Sequence, residues 1–131
     1  MESIPGEGAG RPARRQILVV EDETLIALDL EIGLTDAGFS VIGPVPTVAA
    51  ALALLADQRP DAAVLDVSLR GEWVTPVAET LRAMGVPFVL ASAYGGAELA
   101  SDAVLAGARN VGKPTMPAVL FAALKDLLDC R

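Results

Sequence analysis

Histidine is absent from this chain of 131 residues, and cysteine occurs once, as Cys130. The first absence excludes imidazole acid–base catalysis and histidine metal sites. The second excludes an internal disulfide, which suits a reducing compartment such as the cytoplasm. Positive charge is also scarce: 10 Lys and Arg stand against 17 Asp and Glu, for a formal charge of −7. That balance argues against direct nucleic-acid binding, because neutralising phosphates takes clustered Lys and Arg. An uninterrupted apolar span is missing too. The stretch Ala37 to Ala56 carries no charged residue, but Gly43, Pro44 and Pro46 break its middle. A spanning helix needs about 20 consecutive apolar residues, and proline disrupts a helix interior. The stretch therefore reads as strand, loop and helix, without membrane insertion. The N-terminus lacks the apolar core of a signal peptide.

What is present is a large apolar fraction, 53% of residues, enough for one ordinary domain with a real core. Residues 1–15 are rich in Gly, Pro and Arg and read as a disordered leader. Arg11, Arg14 and Arg15 either touch an acidic partner or belong to a solvated tail. Residues 16–131 form the domain. Short β-branched runs mark strands at 16–21, 40–44, 61–66, 86–91 and 108–111, and longer Ala/Leu-rich segments mark helices at 23–37, 47–57, 73–84, 95–106 and 116–129. Gly38, Gly85 and Gly107 each follow a helical segment, as helix C-termini prefer. Five βα repeats with short connections imply a doubly wound α/β fold, a five-stranded parallel sheet flanked by five helices on its two faces.

The first helix carries two apolar stripes. Ile26, Leu30, Leu34 and Ala37 should face the sheet. Leu25, Leu28 and Ile32 are rotated well over a right angle away. Either they offer a docking surface for a partner helix, or a neighbouring element covers them.

The strand ends carry the chemistry. The run Ile17–Val20 ends in Glu21-Asp22-Glu23, and Ala62–Leu65 ends in Asp66. Phe88–Ala91 ends in Ser92, and Ala108–Val111 is followed by Gly112 and Lys113-Pro114. The carboxyl ends of parallel strands share one edge, where ligands bind. Three carboxylates gathered there repel, and a cation or a retained proton makes the cluster tolerable. Oxygen ligation without His or Cys suits Mg²⁺. Such a metal would favour attack by the Asp66 carboxylate on a phosphoryl group, with Lys113 and Ser92 on further phosphoryl oxygens.

Taken together, Val20-Glu21-Asp22-Glu23, Val64-Leu65-Asp66-Val67-Ser68, Ala91-Ser92-Ala93 and Lys113-Pro114 resemble the receiver domain of bacterial two-component response regulators, over Gln16 to Leu128. Phe88 to Gly95 also resembles the branch with an F-A-T-G-Tyr-type motif, mostly single-domain receivers; Leu90 stands at its Phe, Ser92 at its Thr and Ala93 at its Gly. The resemblance implies a flavodoxin-like fold and a stand-alone phosphoacceptor. A histidine kinase or histidine phosphotransfer protein would phosphorylate Asp66. Glu21, Asp22, Asp66 and the backbone carbonyl of Ser68 would hold Mg²⁺, and Ser92 and Lys113 would contact the phosphoryl group. It also implies a cis Lys113-Pro114 bond, a signal leaving through a partner, a homodimer or onward phosphotransfer, and no catalysis on a separate substrate.

Two departures stand out. Where many receivers carry a switch aromatic on the last strand, three residues before the lysine, this chain has Asn110; Tyr94 is the nearest aromatic substitute or else a surface residue. The turn after Asp66 is altered to Ser68-Leu69-Arg70-Gly71-Glu72, beside Trp73, which either gates the site or packs at a helix start. Two other functions compete. One is a phosphorylation-independent interaction module on the same scaffold, which has no reason to gather three carboxylates. The other is an aspartyl phosphatase, whose chemistry usually wants an acid–base carboxylate where Ser68 stands.

Overall fold

The computed structural model describes residues 14–93, 99 and 102–129. The elements among them are β1 (Gln16–Val20), α1 (Thr24–Asp36), β2 (Ser40–Val45), α2 (Val48–Asp57), β3 (Ala62–Leu65), β4 (Ser68–Leu69), β5 (Glu72–Trp73), α3 (Thr75–Met84), β6 (Phe88–Leu90) and α4 (Pro117–Asp129). The main sheet is parallel, in the order β2-β1-β3-β6. The chain runs outward from β1 to β2, then returns to β3 on the other side of β1. That reversal opens a crevice at the carboxyl ends of β1 and β3, the usual ligand position in doubly wound sheets.

Alternation along the strands splits the core into two layers. Leu18, Val20, Ala63, Leu65 and Leu90 pack with Val48, Ala51 and Leu55 of α2 and Val77, Ala78 and Leu81 of α3. Ile17, Val19, Ala62, Val64 and Val89 pack with Leu30 and Leu34 of α1 and Leu120, Ala123, Leu124 and Leu128 of α4. Because both faces are covered, β1 and β3 read as continuous apolar runs rather than alternating ones. On α1, Leu30 and Leu34 are buried as expected, joined by Ala27, while Ile26 is half-buried. Ala37 is exposed instead of facing the sheet, because it is the cap residue beyond the helix end.

Local chemistry sets the helix ends. Thr47 Oγ1 accepts the Ala50 N–H at 3.0 Å and starts α2. Pro76 lies in the first turn of α3, and Gly85 ends that helix at φ 73°, a left-handed conformation costly for other residues. Stretch 37–56 divides into strand, loop and helix as expected, and among the described residues no helix is long and apolar enough to cross a membrane.

Three features depart from the expected map. First, β2 extends to Val45 through a bulge: Leu18 pairs with Ile42 but Val20 with Val45. Gly43 at φ 89° occupies the bulge, where a Cβ would lie 2.8 Å from the Val45 nitrogen. Second, Ser68–Leu69 and Glu72–Trp73 form a small antiparallel hairpin, its turn made by Arg70 (φ 52°) and Gly71 (φ 83°). Positive φ at both central residues is the tight hairpin turn whose twist matches its strands. Third, the strand expected at 108–111 contracts to one parallel bridge, Leu90 to Asn110. The helix expected at 95–106 falls partly outside the described residues; within it Leu99 is helical, and 102–106 is a bend followed by turns.

Candidate functional site

Register builds the site. Val20 pairs with Leu65, Leu65 with Leu90, and Leu90 with Asn110, so four segments end on one row. The ladder continues one step past it. Glu21 N–H donates to the Val45 carbonyl at 3.0 Å, Asp66 N–H to Val20 at 2.9 Å, and Ala91 N–H to Leu65 at 2.9 Å. These bonds pin the backbones of Glu21 and Asp66 before any side chain acts, and they carry Ser92 to the same edge.

The side chains then converge. Carboxylate oxygens of Glu21, Asp22 and Asp66 lie within 4.8 Å of one another. Glu21 is 3% exposed and Asp66 7%. Lys113 Nζ donates to Asp66 Oδ2 at 3.0 Å and lies 3.2 Å from Glu21 Oε1. Glu21 Oε2 also accepts the Glu23 N–H at 3.1 Å. Asp22 Oδ2 accepts the Arg70 N–H at 3.1 Å, which holds the β4–β5 turn against the acidic cluster. Arg70 was not foreseen as a site neighbour. Its positive φ, which aims that N–H, follows from a turn type that Arg-Gly does not announce in sequence.

The electrostatics follow from crowding. Burial pushes Glu21 up to about 7; the Asp66 charge adds to this, while the Glu23 N–H and the Lys113 ammonium offset part of it. For Lys113, burial alone would lower the pKa, but its bonds to Asp66 and Glu21 outweigh that and the net direction is up. Among the described residues the Lys113 ammonium contacts two of the three clustered carboxylates, Glu21 and Asp66, leaving negative charge that a divalent cation would neutralise. Oxygen donors from two adjacent strand ends, with no nitrogen or sulfur among them, fit a hard divalent ion.

The other expected residues are distributed as follows. Ser92 is buried, and its backbone N–H donates to Asn110 Oδ1 at 3.1 Å. Ser68 opens β4, two residues past Asp66, opposite Trp73 in the hairpin. Trp73 is half-buried against the first core layer, in keeping with packing at the start of α3. Tyr94 lies outside the described residues. The Lys113-Pro114 bond is cis, as the resemblance implied, and so is Gly43-Pro44. Leu25, Leu28 and Ile32 are exposed, Leu25 at 77%. A groove of about 380 Å³ between α1 and α4 reaches from Ile32 to Lys113, so part of this apolar face adjoins the acidic site.

The chain is similar to several known proteins. The transcriptional regulatory protein PrrA of Mycobacterium bovis is 36% identical over 119 residues, which are 88% of this chain and 51% of PrrA. The chain spans about half or less of the length of the curated relatives it matches. The solution structure of SdrG from Sphingomonas melonis Fr1 is 45% identical with a TM-score of 0.74, covering 89% of this chain and 98% of SdrG. The BeF3-activated conformation of SdrG from Pseudomonas melonis Fr1 gives 43% and 0.72, covering 86% and 95%. The family model of the response regulator receiver domain matches residues 17–125, which include every strand end of the acidic site. With that match added to the 2-1-3 sheet order and the carboxylate–lysine cluster, the chain belongs to the response regulator receiver domain family.

Proposed function

We propose that this chain is a stand-alone receiver that accepts a phosphoryl group on Asp66 from a histidine kinase or histidine phosphotransfer protein. The observation that carries the reading is the Asp66–Lys113 contact of 3.0 Å inside a three-carboxylate cluster. An Asp66 oxygen attacks phosphorus, the donor's phosphorus–nitrogen bond breaks, and an acyl phosphate forms. Lys113 exchanges part of its carboxylate pairing for a phosphoryl oxygen, and the Ser92 hydroxyl donates to another. Glu21, Asp22, Asp66 and the Ser68 carbonyl would hold Mg²⁺, which when bound supplies charge neutralisation to the phosphoryl oxygens. Phosphorylation adds roughly two negative charges at this edge, and the signal leaves by partner contact, a homodimer or onward phosphotransfer. The exposed Leu25, Leu28 and Ile32 of α1 are the proposed contact for the donor protein. The BeF3-activated conformation of SdrG, a 43% identical relative, supports the choice of probe.

The test is incubation with Mg²⁺ and acetyl phosphate, read by intact mass, with beryllofluoride and Trp73 fluorescence as a parallel readout. One phosphoryl adduct on the native chain, absent from Asp66→Asn, is expected. No adduct and no fluorescence response would leave the phosphorylation-independent scaffold, and turnover of added phosphate esters would favour the phosphatase.

A further inference from the structure

The position usually held by a switch aromatic carries Asn110, and its side chain makes two bonds that no aromatic can make. Asn110 Oδ1 accepts the Ser92 N–H at 3.1 Å and the Gly112 N–H at 2.9 Å. The second is an Asx turn, in which the side chain bonds backbone two residues on. It turns the chain at Gly112, whose φ is 86°, immediately before Lys113.

The first bond explains why the last strand is so short. At the Leu90–Asn110 bridge, Leu90 N–H donates to the Arg109 carbonyl and Val111 N–H to the Leu90 carbonyl, both at 2.8 Å. In a parallel ladder the next rung would run from Ser92 N–H to the Val111 carbonyl. Here the Asn110 side chain takes that N–H instead. One carbonyl oxygen therefore ends the strand and ties together two loops, one carrying the Ser92 hydroxyl and one carrying the Lys113 amine. Both groups must meet the same phosphoryl group at Asp66, so their spacing bears on how well that group is received.

We propose that Asn110 is a positioning residue that clamps the Ser92 loop to the Lys113 loop and sets the spacing of the two phosphoryl contacts. The proposal rests on the phosphoacceptor reading of Asp66. An acceptor oxygen on a short, planar side chain is the required feature, so Asp preserves the clamp and Ala or Tyr abolishes it.

The experiment compares native protein with Asn110→Ala, Asn110→Asp and Asn110→Tyr. The readouts are Asp66 labelling by acetyl phosphate with saturating Mg²⁺, Mg²⁺ affinity, and amide hydrogen exchange. Asn110→Ala and Asn110→Tyr should label about tenfold more slowly, the scale set by loss of two neutral hydrogen bonds. Their Mg²⁺ affinity should stay within about twofold of native, because the acidic cluster is held by the β1 and β3 ladders. Exchange at Ser92 and Gly112 should rise in both, and Asn110→Asp should restore both labelling and protection. Native-like labelling in Asn110→Ala, or failure of Asn110→Asp to recover it, overturns the clamp while leaving the phosphoacceptor reading intact. Absence of labelling in the native chain overturns both.

Discussion

The two sides of the sheet hold their polar side chains by different means. On the side of β1, β2 and β3, backbone ladders do the holding. β1 pairs with β3 over four consecutive residues, and the ladder runs on into Glu21 and Asp66. Beyond β6 the ladder is one bridge at Asn110. There, side chains take over: Asn110 ties Ser92 to Gly112, Asp102 accepts from Thr75 Oγ1 and from the Val104 and Leu105 N–H groups, and Arg82 donates to the Val104 carbonyl at 2.7 Å. The carboxylates thus sit on a stiff frame of ladder bonds, while among the described residues the hydroxyl and the ammonium sit on segments tied by side-chain bonds. Segments with few ladder bonds open at lower free energy than core strands. Phosphoryl-driven movement is therefore expected on the Ser92–Lys113 side, with the acidic cluster as its fixed reference.

The contrast can be broken at its stiff side first. Leu65 is fully buried next to Asp66 and pairs with both β1 and β6. Leu65→Ala should cost about 3 kcal/mol of stability through lost burial and a residual cavity, read as a lower urea midpoint at unchanged slope. A loss below about 1 kcal/mol would mean that β3 is not the frame. Lys113→Met tests the far side. Removing the ammonium that bonds Asp66 should slow acetyl-phosphate labelling by about a hundredfold, with the circular dichroism spectrum retained. Labelling at the native rate would remove Lys113 from phosphoryl contact.

The smallest expected effect sharpens the electrostatics of the frame. Burial pushes the Glu21 carboxyl up to about 7 in the folded state, against an ordinary 4.5. Between those values the folded state holds a proton that the unfolded state has released. The contribution of Glu21 to stability is therefore present below about pH 4.5 and is lost as pH rises through about 7. Metal-free native protein should lose stability over that window relative to Glu21→Gln, measured by urea unfolding at each pH. Added Mg²⁺ should restore more stability above pH 7 than at pH 5, because protonated Glu21 competes with the ion. Parallel pH profiles of the two proteins would contradict the shift.

Legibility in the sequence followed the same divide. The runs Ile17–Val20, Ala62–Leu65 and Phe88–Leu90 are apolar throughout and end in polar residues, so both the strands and the site edge could be read directly. Glu21, Asp22, Asp66 and Lys113 converge as their placement suggested. The hairpin at 68–73 could not be read, because two-residue strands carry no periodicity and Arg-Gly is a poor marker of its turn. The shortened last strand was equally hidden. Ala108, Arg109, Asn110 and Val111 allow a longer strand, and only the competition between the Asn110 carboxamide and a backbone carbonyl for the Ser92 N–H ends it.

By itself, then, the sequence determined which segments become buried strands and which residue types stand at their ends, because burial on two faces demands unbroken apolar runs and the first polar residue marks where each run stops. Tertiary structure alone decided the order 2-1-3, the row on which four segments stop, and which N–H each side-chain oxygen accepts. Those outcomes depend on hydrogen-bond partners brought from up to 92 residues away, as Lys113 is to Glu21, and no local pattern of residues encodes so distant a choice.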